Sequence, residues 1–205
     1  MWSQRLTDAF SLAAELHRAQ LRKGTSIPYL SHLMGVASLV LDNGGKEDHV
    51  IAALLHDAVE DQGGLDTLTE IRRRFGDRVA AIVEDCSDSF DPAKPAWRER
   101  KERYLSHLET VGFDARLVSA ADKLHNLRAI LSDFRILGEE VWSRFNAGRD
   151  EILWYYGEIA RIIEERGPRT IFLELKATLS ELRSLARPEG VDGAERIRSR
   201  PGRRE

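Results

Sequence analysis

Apolar residues near the start of the chain follow the spacing of an amphipathic helix. They stand at Leu6, Phe10, Ala13, Ala14, Leu16 and Leu21. Because residues three and four positions apart share one face of a helix, this pattern predicts a helix from Leu6 to about Lys23. The next segment, Gly24–Pro28, predicts a loop, since glycine and proline interrupt helices.

The rest of the chain repeats this pattern between glycine- and proline-containing breaks. We predict helices at Ser31–Leu41, Lys46–Asp61, Leu65–Phe75, Asp77–Asp88, Ala96–Thr110, Asp114–Leu137, Glu139–Arg166 and Thr170–Leu185, and a loop at Asp91–Pro95. The strict alternation of apolar and polar residues that is typical of strands is not persuasive anywhere. The sequence therefore predicts an all-α fold, with one compact multi-helix domain over residues 1–186. Residues 187–205 carry several arginines and few apolar side chains, which predicts a disordered tail.

Composition then narrows the class of protein. The chain has 205 residues, of which 42% are hydrophobic and 32% are charged, with a net charge of −3 and one cysteine. The single cysteine excludes a disulfide within the chain, and the N-terminus lacks the apolar region of a signal peptide, so we expect a cytoplasmic protein. An apolar run of the roughly 18 residues that a membrane span needs is missing, so we expect no membrane partner. The near-neutral charge makes nucleic acid an unfavoured partner.

Four ionisable residues interrupt the apolar third helix. His56 and Asp57 are followed one turn later by Glu60 and Asp61. At about 3.6 residues per turn, His56 stacks with Glu60 and Asp57 with Asp61, on adjoining rows of one face. Three carboxylates in one turn repel each other and need a compensating positive charge, which a divalent cation supplies.

Two residues elsewhere complete a candidate metal site. His32 opens the second predicted helix, and Asp122 stands in the apolar stripe of the longest one, where an unpaired carboxylate is costly. Two imidazoles (His32, His56) and two carboxylates (Asp57, Asp122) form a mixed nitrogen and oxygen site. Such a site suits Mn²⁺, Fe²⁺, Mg²⁺ or Zn²⁺ and leaves room for water or a substrate oxygen.

This site indicates metal-assisted hydrolysis of a phosphate ester or anhydride. A bound cation lowers the pKa of a water molecule and polarises a phosphoryl oxygen. Glu60 is placed to orient or deprotonate that water, and Asp61 to help position or protonate. Arg22 and Lys23, together with basic residues at 98–103, are candidates to clamp phosphate groups.

Several of these residues also allow a structural interpretation. Asp122 can form a salt bridge with Lys123 or Arg128, and most charges at 98–103 then belong to a solvated face. Asn126, four residues after Asp122, shares its face and is a candidate substrate contact. His125, three residues after Asp122, can face the site or pack against its neighbours, and we expect it to pack.

The remaining histidines and the aromatic residues near the C-terminus give weaker signals. We expect surface or packing positions for His17, His49 and His107, and a packed apolar environment for Cys86. We expect the aromatic group to belong to the core, although one of its rings can stack on a nucleobase. That group contains Trp142, Trp154, Tyr155 and Tyr156.

Taken together, the motifs resemble those of the HD-domain phosphohydrolases, whose signature is H…HD…D. They are Arg22-Lys23, Pro28-Tyr29-Leu30-Ser31-His32, His56-Asp57-Ala58-Val59-Glu60-Asp61, the run Thr67…Ile71…Phe75-Gly76…Val79, and Ala121-Asp122-Lys123-Leu124-His125-Asn126-Leu127. Within that superfamily they resemble the hydrolase domain of the RelA/SpoT enzymes and its stand-alone relatives, the small alarmone hydrolases. The resemblance covers about residues 5–165, and Leu33 departs from it because the family often has proline there.

The resemblance implies an HD-domain fold and hydrolysis of the 3′-diphosphate of (p)ppGpp to GDP or GTP plus pyrophosphate, usually with Mn²⁺. It implies that the metal is held by His32, His56, Asp57 and Asp122. It further implies that Glu60 and Asp61 serve the attacking water, that Arg22 and Lys23 contact the guanine side, and that Asn126 contacts the ribose. Two alternatives stay open: a phosphohydrolase acting on another nucleotide, such as the NADPH 2′-phosphate or a nucleoside mono- or triphosphate, and a non-catalytic nucleotide-binding module.

Overall fold

The computed structural model describes residues 2–87 and 95–187, and within them the chain is helical. The helices are α1 (Gln4–Leu16), α2 (Leu30–Asp42), α3 (Glu47–Leu55), α4 (Ala58–Asp61), α5 (Gly64–Phe75), α6 (Asp77–Cys86), α7 (Trp97–Thr110), α8 (Phe113–Leu137), a 3₁₀ helix (Gly138–Arg144), α9 (Arg149–Arg166) and α10 (Arg169–Leu185). An isolated bridge between Leu21 and Pro28 is the β structure found in these residues, so the all-α prediction is confirmed. The predicted loop at 91–94 and the predicted tail at 188–205 lie outside the described residues.

The core forms where α3 and α8 are covered by the other helices. Helix α3 packs against α1, α2 and α6, and α8 packs against α2, α3, α6, α9 and α10. Ile51 and Leu55 of α3 and Leu117, Leu124 and Leu127 of α8 are almost wholly inaccessible to solvent. Because α2, α3 and α8 meet side by side, polar residues on their facing sides are forced together. None of the described helices combines the length and apolar character needed to cross a membrane.

The first helix is shorter than the apolar spacing predicts. It ends at Leu16, and residues 17–29 form a loop that is closed by backbone hydrogen bonds from Arg22 N to Ile27 O (2.8 Å) and from Tyr29 N to Gln20 O (2.9 Å). Leu21, which extended the apolar pattern, is half exposed and belongs to this loop. The predicted end near Lys23 is therefore wrong, because a local hairpin-like closure replaces the last two helical turns.

The third predicted helix is divided at the residues that carry its chemistry. Helix α3 ends at Leu55, Asp57 adopts φ −94° and ψ −4°, and the short helix α4 begins at Ala58. These dihedral angles lie in the bridge region, which does not continue a regular helix. The prediction of one helix over Lys46–Asp61 is wrong at this point, although Asp61 N still donates to Asp57 O at 3.0 Å.

The predicted helix Glu139–Arg166 is also two elements. Gly138 has φ +58° and ψ −140°, a conformation essentially reserved for glycine, and it turns the chain from α8 into the 3₁₀ helix. Phe145 is extended, and Gly148 precedes α9 with its N–H donating to Glu151 Oε2 (3.2 Å). The Asn146-Ala147-Gly148 sequence is a turn signal that the apolar pattern around it obscures. The other predicted helices agree with the structure to within two residues, except that the predicted end at Asp88 lies outside the described residues.

Candidate active site

Two imidazoles and two carboxylates converge where α2, the α3–α4 junction and α8 meet. His32 Nε2 lies 3.5 Å from Asp57 Oδ2 and 3.2 Å from Asp122 Oδ1. His56 Nε2 lies 3.0 Å from Asp57 Oδ2 and 3.6 Å from Asp122 Oδ1. The structure therefore brings together all four residues that the sequence suggests as metal ligands. Ligand atoms of His32, His56 and Asp57 all lie within 4.8 Å of one another, a possible metal-binding triad to which Asp122 adds a second carboxylate.

The chemistry of the two histidines tests whether these residues fit a metal ion. Both rings are buried, and among the described residues neither His32 Nε2 nor His56 Nε2 has a hydrogen-bond partner. Their other nitrogens are engaged: His56 Nδ1 is 2.8 Å from Ala53 O, and His32 Nδ1 is 3.0 Å from His125 Nδ1. Buried polar atoms are normally satisfied, and a metal-ligating histidine usually donates its second nitrogen in this way. The residues present therefore fit a divalent cation.

The charges in the cluster are strongly coupled. Burial opposes ionisation of Asp57, but the charge of His56 and the contacts with both imidazoles together outweigh burial and hold the pKa of Asp57 well below its usual range. Burial likewise opposes protonation of His56, yet the Asp57 and Asp122 carboxylates raise its pKa well above the ordinary value. The pKa of Asp122 is also well below normal, since Lys123 and the histidines overcome its burial. Both carboxylates thus stay ionised, as ligands of a cation must be.

A second set of side chains orients the carboxylates. The Tyr29 hydroxyl donates to Asp57 Oδ2 at 2.6 Å, and burial beside this carboxylate raises the pKa of the phenol far above normal. Lys123 Nζ donates to Asp122 Oδ2 at 2.6 Å, and Asn126 Nδ2 donates to Asp122 Oδ1 at 2.5 Å. The structural salt bridge considered for Asp122 is therefore present with Lys123. It uses Oδ2, whereas Oδ1 faces the two histidines.

Arg128, the other partner considered for Asp122, pairs instead with Glu174 at the surface. The predicted substrate contacts Arg22 and Asn126 are bonded to each other, because Arg22 Nη2 donates to Asn126 Oδ1 at 2.6 Å. Lys23 is exposed, and its Nζ donates to Asn146 Oδ1 at 3.0 Å. Arg22 is thus linked through Asn126 to the Asp122 carboxylate.

The two acidic residues suggested for catalysis follow on α4. Glu60 is half-buried, with Oε1 3.8 Å from Arg100 Nη1. Asp61 is exposed, and its Oδ2 accepts a hydrogen bond from Gln20 Nε2 at 2.8 Å. Gln20 also lies 2.6 Å from His17 Nδ1, so the loop after α1 is tied to α4. Both carboxylates follow the candidate ligands His56 and Asp57 within one turn.

A cavity of about 480 Å³ adjoins this cluster. Five cationic side chains line it, namely Arg22, Lys23, Lys101, Lys123 and Arg144, as do the aromatic rings of Tyr29, Trp97, Phe145, Tyr155 and Tyr156. The volume lies within the usual range for small-molecule sites. Cations provide contacts for phosphate groups and aromatic rings provide faces for a base, so the cavity has the chemistry to bind a nucleotide.

One site residue differs from the expectation. We expect His125 to pack, but it takes the alternative position, where it contacts His32 and lines the cavity. Lys101 also lines the cavity, whereas Arg98 and Arg103 pair with Glu102 and Glu99 on the exposed face that the pattern predicts. Tyr29 belongs to the motif that precedes His32, but the sequence does not reveal its hydrogen bond to Asp57. The sequence includes Lys101 among the candidate phosphate contacts at 98–103 but does not separate it from its equally basic neighbours.

Of the aromatic residues and the other histidines, some lie at the cavity and others pack in the core or lie at the surface. Tyr155 and Tyr156 line the cavity, whereas Trp142 packs against Phe134 in the core. Trp154 lies beneath the Arg98 guanidinium. His17 is buried and stacks on Tyr29, His49 is buried beside Asp114, and His107 is exposed. Cys86 is buried, as expected.

Comparisons with known proteins identify the family of the chain. Residues 9–153 match the HD domain family. The guanosine-3′,5′-bis(diphosphate) 3′-pyrophosphohydrolase MESH1 of Xenopus tropicalis is 40% identical over 141 residues, which are 67% of this chain and 74% of that protein. MESH1 of Homo sapiens is 39% identical over 141 residues, with the same coverage of both chains.

Solved structures share the fold. A metazoan ortholog of SpoT, described as hydrolysing ppGpp, superposes with a TM-score of 0.73 at 24% identity, over 90% of this chain and 98% of that one. A protein of Listeria monocytogenes EGD-e gives a TM-score of 0.64 at 31% identity, over 75% of this chain and 99% of that one. From the matched domain and the identity to the MESH1 proteins, the chain belongs to the HD-domain family, in the branch that contains the MESH1 hydrolases.

Proposed function

We propose that the protein is a metal-dependent (p)ppGpp 3′-pyrophosphohydrolase. The observation that carries this proposal is the mixed histidine and carboxylate cluster beside a basic, aromatic-lined cavity of about 480 Å³. The relatives at about 40% identity are named for this reaction. The cluster offers metal chemistry, and the cavity offers contacts for several phosphates and a base.

In this proposal the cavity binds the nucleotide with its 3′-diphosphate toward the metal cluster. Lys123 lies beside the cluster and Lys101 lines the same cavity, so both are placed to neutralise phosphate charge. Arg22 and Lys23 serve the guanine side. Asn126 contacts the ribose, exchanging its present contact with Arg22 for one with the sugar.

His32, His56, Asp57 and Asp122 would hold one divalent ion, for which we propose Mn²⁺. When bound, such an ion supplies Lewis-acid polarisation of a phosphoryl oxygen and lowers the pKa of water. Glu60 orients the attacking water and accepts its proton, and Asp61 assists in positioning. Water adds to the inner phosphorus of the 3′-diphosphate, the bond from that phosphorus to the ribose 3′-oxygen breaks, and this oxygen takes up a proton. GDP or GTP and pyrophosphate are released.

Product identification tests this proposal. The protein loaded with Mn²⁺ is incubated with ppGpp, and we expect equal amounts of GDP and pyrophosphate. Unchanged ppGpp at several metal compositions would contradict the assignment. A parallel panel with NADPH and nucleoside mono- and triphosphates separates the alternative substrates, since NADPH would release orthophosphate.

A matched pair of variants tests the role of Glu60. We expect Glu60→Gln to reduce turnover by at least about 100-fold, the usual lower range for a general acid–base group, while Mn²⁺ still binds. The control is Glu99→Gln, which changes an exposed glutamate paired with Arg103 on α7 and should leave turnover unchanged. Parent-like turnover of Glu60→Gln would favour another base, and nucleotide binding with no turnover in the parent would indicate a binding module. The cytoplasmic location stays a prediction.

A further inference from the structure

We infer that His125 is a positioning residue for His32, holding it in the tautomer and orientation that a metal ion requires. The inference rests on the proposed metal site, but it does not depend on the identity of the nucleotide. Its first observation is the 3.0 Å approach of the two Nδ1 atoms, with ring centroids 4.8 Å apart and an angle of 65° between the planes. Two histidine nitrogens at this distance form a hydrogen bond when one carries the proton and the other does not.

The positions of the Nε2 atoms decide which nitrogen carries the proton. His32 Nε2 faces the Asp57 and Asp122 oxygens at 3.5 and 3.2 Å, and a ligand to a cation must present a lone pair there. The proton of neutral His32 therefore belongs on Nδ1, which donates to His125 Nδ1. His125 must then accept at Nδ1 and carry its own proton on Nε2. One hydrogen bond thus fixes the tautomers of both rings.

Gly35 provides the space in which the His125 ring is seated. It lies on α2, three residues after His32, and a β-carbon built at this position would be 2.2 Å from His125 Nε2 and 2.3 Å from Cδ2. Glycine inside a helix is less favourable than alanine by about 1 kcal/mol. The close approach of the imidazole explains why this position has no side chain. Gly35 and His125 therefore form one packing unit behind the candidate ligand.

The second candidate histidine ligand is oriented differently. His56 Nδ1 is directed at the backbone oxygen of Ala53. This contact does not depend on the side chain at position 53, because every residue has a backbone carbonyl. His32 depends on a side chain from another helix, and the contact is lost when that side chain changes. The two ligands should therefore respond differently to substitution of the group behind them.

Metal affinity tests the inference without reference to catalysis. Mn²⁺ binding is measured by titration calorimetry for the parent, His125→Leu, His125→Asn and Gly35→Ala. We expect His125→Leu and Gly35→Ala to weaken binding by about 10–100-fold, the usual effect of losing an outer partner of a metal-ligating histidine. Asparagine retains an acceptor oxygen close to the position of the lost Nδ1, so His125→Asn should stay within about threefold of the parent. The matched control His107→Leu removes an exposed histidine and should leave the affinity unchanged.

The outcomes separate this inference from the proposed function. A parent protein that binds no Mn²⁺ would overturn both. Parent binding that survives His125→Leu, or that is lost equally in His125→Leu and His125→Asn, would overturn the positioning role alone. If His125→Leu does not fold, nitrogen-15 NMR spectra of the Zn²⁺-loaded parent protein show which imidazole nitrogen of His125 carries the proton. A proton on Nε2 of His125 supports the inference, and a proton on its Nδ1 overturns it.

Discussion

At the scale of single residues, Asp122 divides its two carboxylate oxygens between different partners. Oδ2 pairs with Lys123, and Oδ1 accepts from Asn126 while facing the two histidines. The ammonium group balances part of the buried charge on one side and leaves the other oxygen available. A structural salt bridge and a ligand role are therefore compatible in one side chain.

Replacing this carboxylate by an amide should abolish metal binding while preserving shape. We expect Asp122→Asn to weaken Mn²⁺ binding by at least about 100-fold, more than the loss of an outer partner. It should also lower the free energy of unfolding by about 3 kcal/mol, because the mostly buried Lys123 loses its counter-charge. Calorimetric titration and urea unfolding measure the two effects.

The control for that substitution is Asp114→Asn on the same helix, which changes a partly exposed aspartate paired with Arg78. Mn²⁺ affinity should not change in this variant. Equal loss of affinity in both variants would indicate a general effect on α8 rather than a specific ligand.

The shifted pKa values predict how the stability of the metal-free protein and its affinity for Mn²⁺ depend on pH. The pKa of His56 is raised above 6.5, so its stabilising contribution without metal is complete below pH 6.5 and is lost as the pH rises through the raised value. The pKa values of Asp57 and Asp122 are lowered from 3.8, so their contribution is complete above about pH 4 and is lost as the pH falls through the lowered values.

Metal must displace the His56 proton, so Mn²⁺ affinity should rise about tenfold per pH unit until that proton is gone, and then level off. Thermal unfolding scans from pH 5 to 9, with and without Mn²⁺, measure both trends. A metal-induced stabilisation that does not vary with pH would contradict this linkage.

The residue scale also shows what one sequence can reveal about the site. His32, His56, Asp57 and Asp122 were identifiable because carboxylates and histidines are costly on apolar helical faces. The contacts of Tyr29 and His125 could not be identified from the sequence, because a tyrosine or histidine at such a position packs equally well in a core. Whether the side chain packs in the core or contacts a candidate ligand depends on the residue across the helix interface.

At the scale of elements, the breaks matter more than the helices. The α3–α4 junction separates Asp57 from the regular helix, and residues 145–148 divide the predicted helix Glu139–Arg166 into the 3₁₀ helix and α9. The apolar period continues through both regions of the sequence, so pattern alone predicts uninterrupted helices. Gly138 is different, because the sequence predicts a break there and the backbone conformation of this glycine makes the turn out of α8.

Gly138 offers a direct test of that argument. We expect Gly138→Ala to lower the free energy of unfolding by about 1–3 kcal/mol, because its φ of +58° with ψ of −140° is strained for any residue with a side chain. The measurement is urea unfolding followed by circular dichroism.

The matched substitution is Gly157→Ala, which adds the same methyl group inside α9. There the nearest neighbour is the Arg183 guanidinium, the flexible end of a long side chain. Alanine is a better helix former than glycine, so the net change should stay within about 1 kcal/mol of zero. Equal destabilisation by both substitutions would argue against backbone strain at Gly138.

At the scale of the whole molecule, the fold class followed from helical periodicity, but the packing order did not. The spacing of Leu117, Leu124 and Leu127 does not predict that α8 packs against both α2 and α3. The sequence predicts that His32, His56 and Asp122 lie together, because each is costly as an isolated polar group on an apolar helix. The cavity beside them is visible only in the three-dimensional structure. One sequence therefore predicts the ligands better than the pocket.

Because the candidate ligands come from three separate elements, metal binding should stabilise the entire fold. At a free Mn²⁺ concentration of 100 times the dissociation constant, linkage predicts a gain of about 2.7 kcal/mol in the free energy of unfolding. For a domain of this size that corresponds to a rise of roughly 5–10 °C in Tm. Differential scanning calorimetry with Mn²⁺, and then with excess chelator, should show the rise and its reversal. An unchanged Tm at saturating metal would be inconsistent with a site that joins these elements.

The hydrogen bonds from Arg22 to Asn126 and from Asn126 to Asp122 have a consequence for the proposed site. A nucleotide that engaged Arg22 would remove one restraint on Asn126, which holds the Asp122 carboxylate that faces the two histidines. In the proposed site, a single amide would therefore couple the nucleotide end of the cavity to the metal end. Thermodynamic reciprocity requires that, with such coupling, cation and nucleotide change each other's dissociation constant by the same factor, so that each ligand would act as an effector of the other.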